Sequence, residues 1–210
     1  MPDWATIAGL ATAFGTLVLA LATFAALRSS NRAARTAERA LLFGMQPLLF
    51  ASRLQDPTQT ITWVDQHLTV VDGGHGAAEL TENVIYLAIS VRNAGSGVAV
   101  LQGWHAWTEM RRAMEGPAPT HQFRRLTRDL YIAPQDIGFW QGAFRDPSEP
   151  EFHDMAPVIR ERRRFAIDLL YTNAEGGQRT ISRFSMSPTE DGRWLSSVAR
   201  HWNLDMRSPR

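Results

Sequence analysis

Glu151, His153 and Asp154 set two carboxylates and an imidazole within four residues, donor types that can bind a divalent metal or relay a proton. His121 or His201 would have to complete such a site from a distance, and neither a Cys pair nor a His-Glu-x-x-His run is present to fix the ligands. Nucleophilic chemistry has less support still. The chain has no cysteine and no Gly-x-Ser-x-Gly elbow, and no local spacing pairs a serine with His67, His105 or His201. Gly73-Gly74-His75-Gly76 could cradle an anion but lacks the lysine and hydroxyl of a phosphate loop, so it is expected to be a mobile connection between Val71 and Val84. The expectation is therefore no catalytic residue, no metal and no cofactor.

Binding is the stronger expectation. Two polar excursions exceed what a minimal β domain needs. Glu109 to Asp129 carries Arg111, Arg112, Arg124, Arg125 and Arg128 around Gly116-Pro117-Ala118-Pro119, and Arg145 to Arg163 carries Asp146, Glu149, Glu151 and Asp154 among three prolines. Opposite charge would let these loops dock on one another or on a partner, with the five arginines as the candidate partner-binding residues, although solvated loop surface is the ordinary reading of such segments and the one favoured here. The aromatic residues are expected mainly as core, since Trp63, Trp104, Trp107, Trp140, Trp194 and Trp202 mostly fall in or beside the predicted strands.

The element that would hold such a domain in place opens the chain. Trp4 to Leu27 is uncharged, and as a helix its 24 residues would span ~36 Å, slightly more than a bilayer's hydrocarbon core. Arg28, Arg32, Arg35 and Arg39 follow, offset only by Glu38. This positive flank places the amino terminus outside and the carboxy-terminal domain in the cytoplasm, with Trp4 and the four arginines at the two membrane interfaces. A removable signal peptide fits less well, because no basic residue precedes the apolar run. Residues 28–42 contain neither Gly nor Pro and should continue as a helical stalk. Leu27, Ala34 and Leu41 repeat every seven residues, a spacing compatible with weak homo-oligomerisation.

Charge narrows the partners. All 22 basic residues are arginine, and from residue 43 onward 18 Arg meet 19 Asp and Glu. A nearly neutral domain lacks the concentrated positive surface that nucleic acid requires, so the expected partners are the lipid bilayer and a protein or envelope component.

Beyond Gly44 to Pro47 the apolar period shifts to two. Strands are predicted at 48–54, 61–71, 84–91, 98–107, 136–143, 164–171, 179–187 and 194–202. Ile85, Leu87, Ile89 and Val91 would form one dry face, and Phe165, Ile167, Leu169 and Tyr171 another. Trp194, Val198 and Trp202 share parity in the last strand. Turn chemistry at 92–97, 173–177 and 188–192 marks hairpins, so the fold class is mainly β: an amino-terminal transmembrane helix and helical stalk, then an antiparallel β-sandwich. The divisions are a tail at 1–3, the membrane helix at 4–27, the stalk at 28–42 and the soluble domain at 43–210.

With its apolar run, its arginine stalk and the segment Asn83 to Val100, the chain resembles small bacterial single-pass membrane proteins that carry a carboxy-terminal β-sandwich-like domain. The resemblance implies a bacterial cell-membrane location and an anchored interaction or scaffolding role, and carries over no catalytic residue. The alternative expectation is a small-ligand or metal-binding receptor, or a hydrolase, with its site built from the long polar loops.

Overall fold

The computed structural model describes residues 3–205, excluding the side chains of residues 5, 6, 39, 42, 43 and 127, and the chain divides into compact units at 1–44 and 45–210. The first unit is one uninterrupted helix, α1 (Trp4–Gly44). Its Ile7–Glu38 portion holds an 18-residue window of mean hydropathy 2.1, none of it buried, which is long and apolar enough to cross a membrane. Threonines do not spoil that character. The hydroxyls of Thr12, Thr16 and Thr23 donate to the carbonyls of Ala8, Thr12 and Leu19 at 2.8–2.9 Å, so none needs water.

The second unit is mainly β, and its strand pairings are antiparallel. One layer runs β7 (Arg124–Ile132), β6 (Ala99–Trp107), β9 (Phe165–Thr172), β10 (Arg179–Pro188), β11 (Trp194–Asn203). The other is β8 (Ile137–Phe144), β5 (Ile85–Asn93) and β4 (His75–Leu80), with β1 (Leu49–Ala51) taking the β5 edge beyond β4. The layers are strand-paired where Trp194 and Leu195 meet Gly76 and His75. Leu87, Ile89, Trp140 and Phe144 of one layer and Ile167, Leu169, Tyr171 and Phe184 of the other share a core, giving a sandwich-like arrangement. Helix α3 (Pro150–Arg160) adds Phe152, Met155, Val158 and Ile159 to that core.

Several elements differ from the sequence expectation, each for a local reason. The 61–71 run is a hairpin, β2 (Gln59–Thr62) and β3 (Leu68–Val71), because Gln66 adopts a left-handed φ of 64° and closes a turn that neither Gly nor Asn advertises. The hairpin packs Ile61, Trp63 and Val71 onto Tyr86 and Ala88, so β5 is dry on both faces rather than one. The expected mobile segment at Gly73–Gly76 instead enters β4. A Cβ at Gly76 would collide with the Met186 side chain and the Ala88 carbonyl, so here glycine serves close packing.

The first polar excursion folds as α2 (Met110–Glu115), a 3-10 turn at Thr120–Gln122 and strand β7, and the second contains α3. Pro150 sits in the first turn of α3, where its missing N–H costs nothing, so the prolines did not mean loop throughout. The shared parity of Trp194, Val198 and Trp202 ends at a bulge: Phe184 pairs with Val198 while Arg183 pairs with Arg200, and beyond Ala199 the strand faces invert.

Candidate functional site

The two excursions meet at a cleft of about 470 Å³. The end of β6 supplies His105 and Trp107, α2 supplies Arg112, and α3 supplies Glu151, Asp154, Met155 and Val158. Positions 151, 154, 155 and 158 follow helical spacing, which puts two carboxylates beside two apolar side chains on one stripe of α3. Met155 and Val158 are buried and Glu151 and Asp154 exposed, so the cleft has a dry floor and a charged rim.

A buried ion pair fixes the wall formed by α2. Arg183 on β10 donates from Nε and Nη2 to the two carboxylate oxygens of Asp168 on β9, both at 2.6 Å, and the pair is essentially inaccessible to water. Desolvating two charges is expensive, and the cost is offset only when the remaining lone pairs and protons are used. Here they are. Asp168 also accepts from Trp107 Nε1 at 2.9 Å and from the Ala118 amide at 3.2 Å, while Arg183 Nη2 donates to the Gly116 carbonyl at 2.8 Å. The guanidinium lies 5.1 Å from the Trp107 ring centroid and 4.7 Å from that of Trp202. The pair therefore latches the segment after α2 onto the sheet and orients Trp107 at the cleft.

His105 Nδ1 lies 3.4 Å from the Gln122 carbonyl, a long contact that a ring proton on Nδ1 would satisfy, which would leave Nε2 as an acceptor. Burial holds its pKa below the ordinary histidine range, against the opposing pull of the Gln122 carbonyl. The basic groups of the rim have acidic neighbours: Arg112 pairs with Glu109 at 3.1 Å, and Arg163 with Glu161 at 2.9 Å. Among the described residues, Glu151 and Asp154 form no ion pair.

The five nominated arginines are divided between α2 and β7. Arg111 and Arg112 sit on α2, and only Arg112 reaches the cleft, where it joins Glu151, His153 and Asp154. Arg124 crosses to Glu149 at 2.7 Å and covers the Phe144 ring at 5.0 Å, so the two excursions do dock on one another through opposite charge. Arg128 donates to Gln141 at 2.9 Å and stacks over Phe139. Arg125 is exposed and lines a smaller cleft of about 260 Å³ with Arg124 and Arg145. Arg145 is itself paired to Asp65. Desolvation pushes the Asp65 carboxyl up, but hydrogen bonds from Arg145 and Tyr86 hold it at about 2.

Of the membrane-interface candidates, Trp4, Arg28, Arg32 and Arg35 are exposed on α1, and the Arg39 side chain lies outside the described residues. No group of three His, Asp or Glu side chains converges on a metal position among the described residues. His201 bonds through Nδ1 to Ser182 at 2.7 Å, and His121 lies on the 3-10 turn. Sequence reasoning missed His105, Asp168 and Arg183. The latch left a trace: the hairpin turn at 173–178 makes Asp168 and Arg183 cross-strand partners, and Asp168 is the one charge in the otherwise largely apolar run of β9.

Fold and cleft together define a mainly β, antiparallel domain behind a long apolar helix. No family model and no curated protein matches the sequence. Among solved structures, the chain is similar to a crystal structure of a protein from Archaeoglobus fulgidus, at 8% identity and a TM-score of 0.24, over 63% of this chain and 94% of that one.

Proposed function

We propose that this protein is a membrane-anchored binding module of the bacterial cell membrane. In this reading α1 spans the bilayer once with the amino terminus outside, Trp4 and the arginines from Arg28 to Arg39 sit at the interfaces, and the β domain works in the cytoplasm. The observation that carries it is the Ile7–Glu38 portion of α1, whose exposed apolar window has no use in water and matches the hydrocarbon core in length. The positive flank supports the orientation. Partners engage the cleft between α2 and α3, and a protein or envelope component fits a rim of mixed charge better than nucleic acid does. Tethering raises the local concentration of the module, so a modest contact suffices.

A small-ligand receptor or hydrolase is the second reading. It draws on the cleft volume, which falls in the range of small-molecule sites, and on the open Nε2 of His105. Detergent-free fractionation tests the first reading: the full chain should sediment with membranes, and a chain lacking residues 1–42 should be soluble and folded. A folded full chain in the soluble fraction would overturn it.

A further inference from the structure

We infer that the α2/α3 cleft receives an arginine- or lysine-bearing segment of a partner protein, with the cationic head between Glu151 and Asp154 and its methylene stem along the half-buried Ala106, Trp107 and Pro157. This deepens the binding-module reading and rests on it.

Charge complementarity selects the occupant. The acidic and basic groups around the cleft are unequally committed, since Arg112 already meets Glu109 and Arg163 already meets Glu161, whereas the α3 carboxylates have no basic partner among the described residues. One helical turn separates these carboxylates, a spacing that two nitrogens of a guanidinium can bridge. Beneath them, Phe144, Met155 and Val158 are each about 1% exposed and close the floor, while the half-buried Ala106, Trp107 and Pro157 supply the apolar surface that an aliphatic stem can cover. With its proton on Nδ1, facing the Gln122 carbonyl at 3.4 Å, His105 would present Nε2 as an acceptor, which suits a donor better than an anion. An acidic or phosphorylated partner would instead bring its charge against Glu151 and Asp154. The latch of Asp168 and Arg183 holds Trp107 in place in the cleft lining, which limits the ordering cost of binding.

The test uses the full chain in zwitterionic detergent and three peptides of one sequence, Ac-Ala-X-Leu-X-Ala-amide, where X is arginine, its neutral isostere citrulline, or glutamate. Calorimetry follows each peptide with the wild-type chain, with Glu151→Gln/Asp154→Asn, and with Glu190→Gln as an exposed acid removed elsewhere; thermal melts confirm that all three fold. The arginine peptide should bind, about tenfold more tightly than the citrulline peptide and about tenfold more weakly to the double variant, with Glu190→Gln unchanged. Equal or tighter binding of the citrulline or glutamate peptide, or full affinity in the double variant, overturns the assignment while leaving a binding cleft in place. If no peptide binds, the assignment fails and the cleft loses its role. Membrane fractionation judges the anchor separately.

Discussion

At the scale of single residues, the Asp168–Arg183 pair separates two roles that a buried charge can play. Asp168→Asn leaves a buried guanidinium without its counter-charge and should cost about 3–5 kcal/mol in urea unfolding. Replacing both, Asp168→Leu with Arg183→Met, should recover much of that stability yet free the Gly116–Ala118 segment, read as faster amide exchange there. Acid should loosen the domain as well. Burial lowers the pKa of both His105 and His201, so the unfolded chain takes up protons first. Their contribution is complete above the ordinary histidine pKa of ~6.5 and is lost as pH falls from there through the lower pKa values of the folded state. The melting temperature should therefore drop between pH 7.5 and 5.5, and by less in His201→Leu. Little of this was legible in the sequence: Glu151, His153 and Asp154 stood out by proximity, whereas His105 lies about 50 residues from them and reaches the cleft only through the pairing of β6 with β9.

At the scale of elements, alternation predicted β5 and β9 well because a period of two survives whatever covers the second face. That second cover was invisible. The β2–β3 hairpin closes on Gln66 without a glycine, and the β11 bulge swaps the faces of Trp194 and Trp202 with no change in composition. Helix α3 was hidden for a related reason, since Phe152, Met155, Ala156 and Ile159 form a helical stripe interrupted by charges and by Pro157. Gly76 shows how tightly β4 is seated. Gly76→Val would force a branched side chain against Met186 and the Ala88 carbonyl and should destabilise the domain by about 1–3 kcal/mol in denaturant titration.

At the scale of the whole molecule, the amino-terminal helix was legible almost in full, because an uncharged run of bilayer length needs no tertiary context to be recognised. What the helix is for depends on its surroundings, and the chain offers a clean probe of them: it contains no cysteine, so any introduced thiol is the sole site for a maleimide. A thiol reacts as the thiolate, which forms in water and not in hydrocarbon. The most direct measurement compares maleimide labelling rates of Ala20→Cys in mid-helix and Glu190→Cys in the β10–β11 turn, in opened membranes before and after detergent. A lipid-embedded helix predicts rapid labelling of Glu190→Cys throughout and almost none of Ala20→Cys until the bilayer is dissolved. Labelling of Ala20→Cys at the rate of Glu190→Cys before detergent would contradict it.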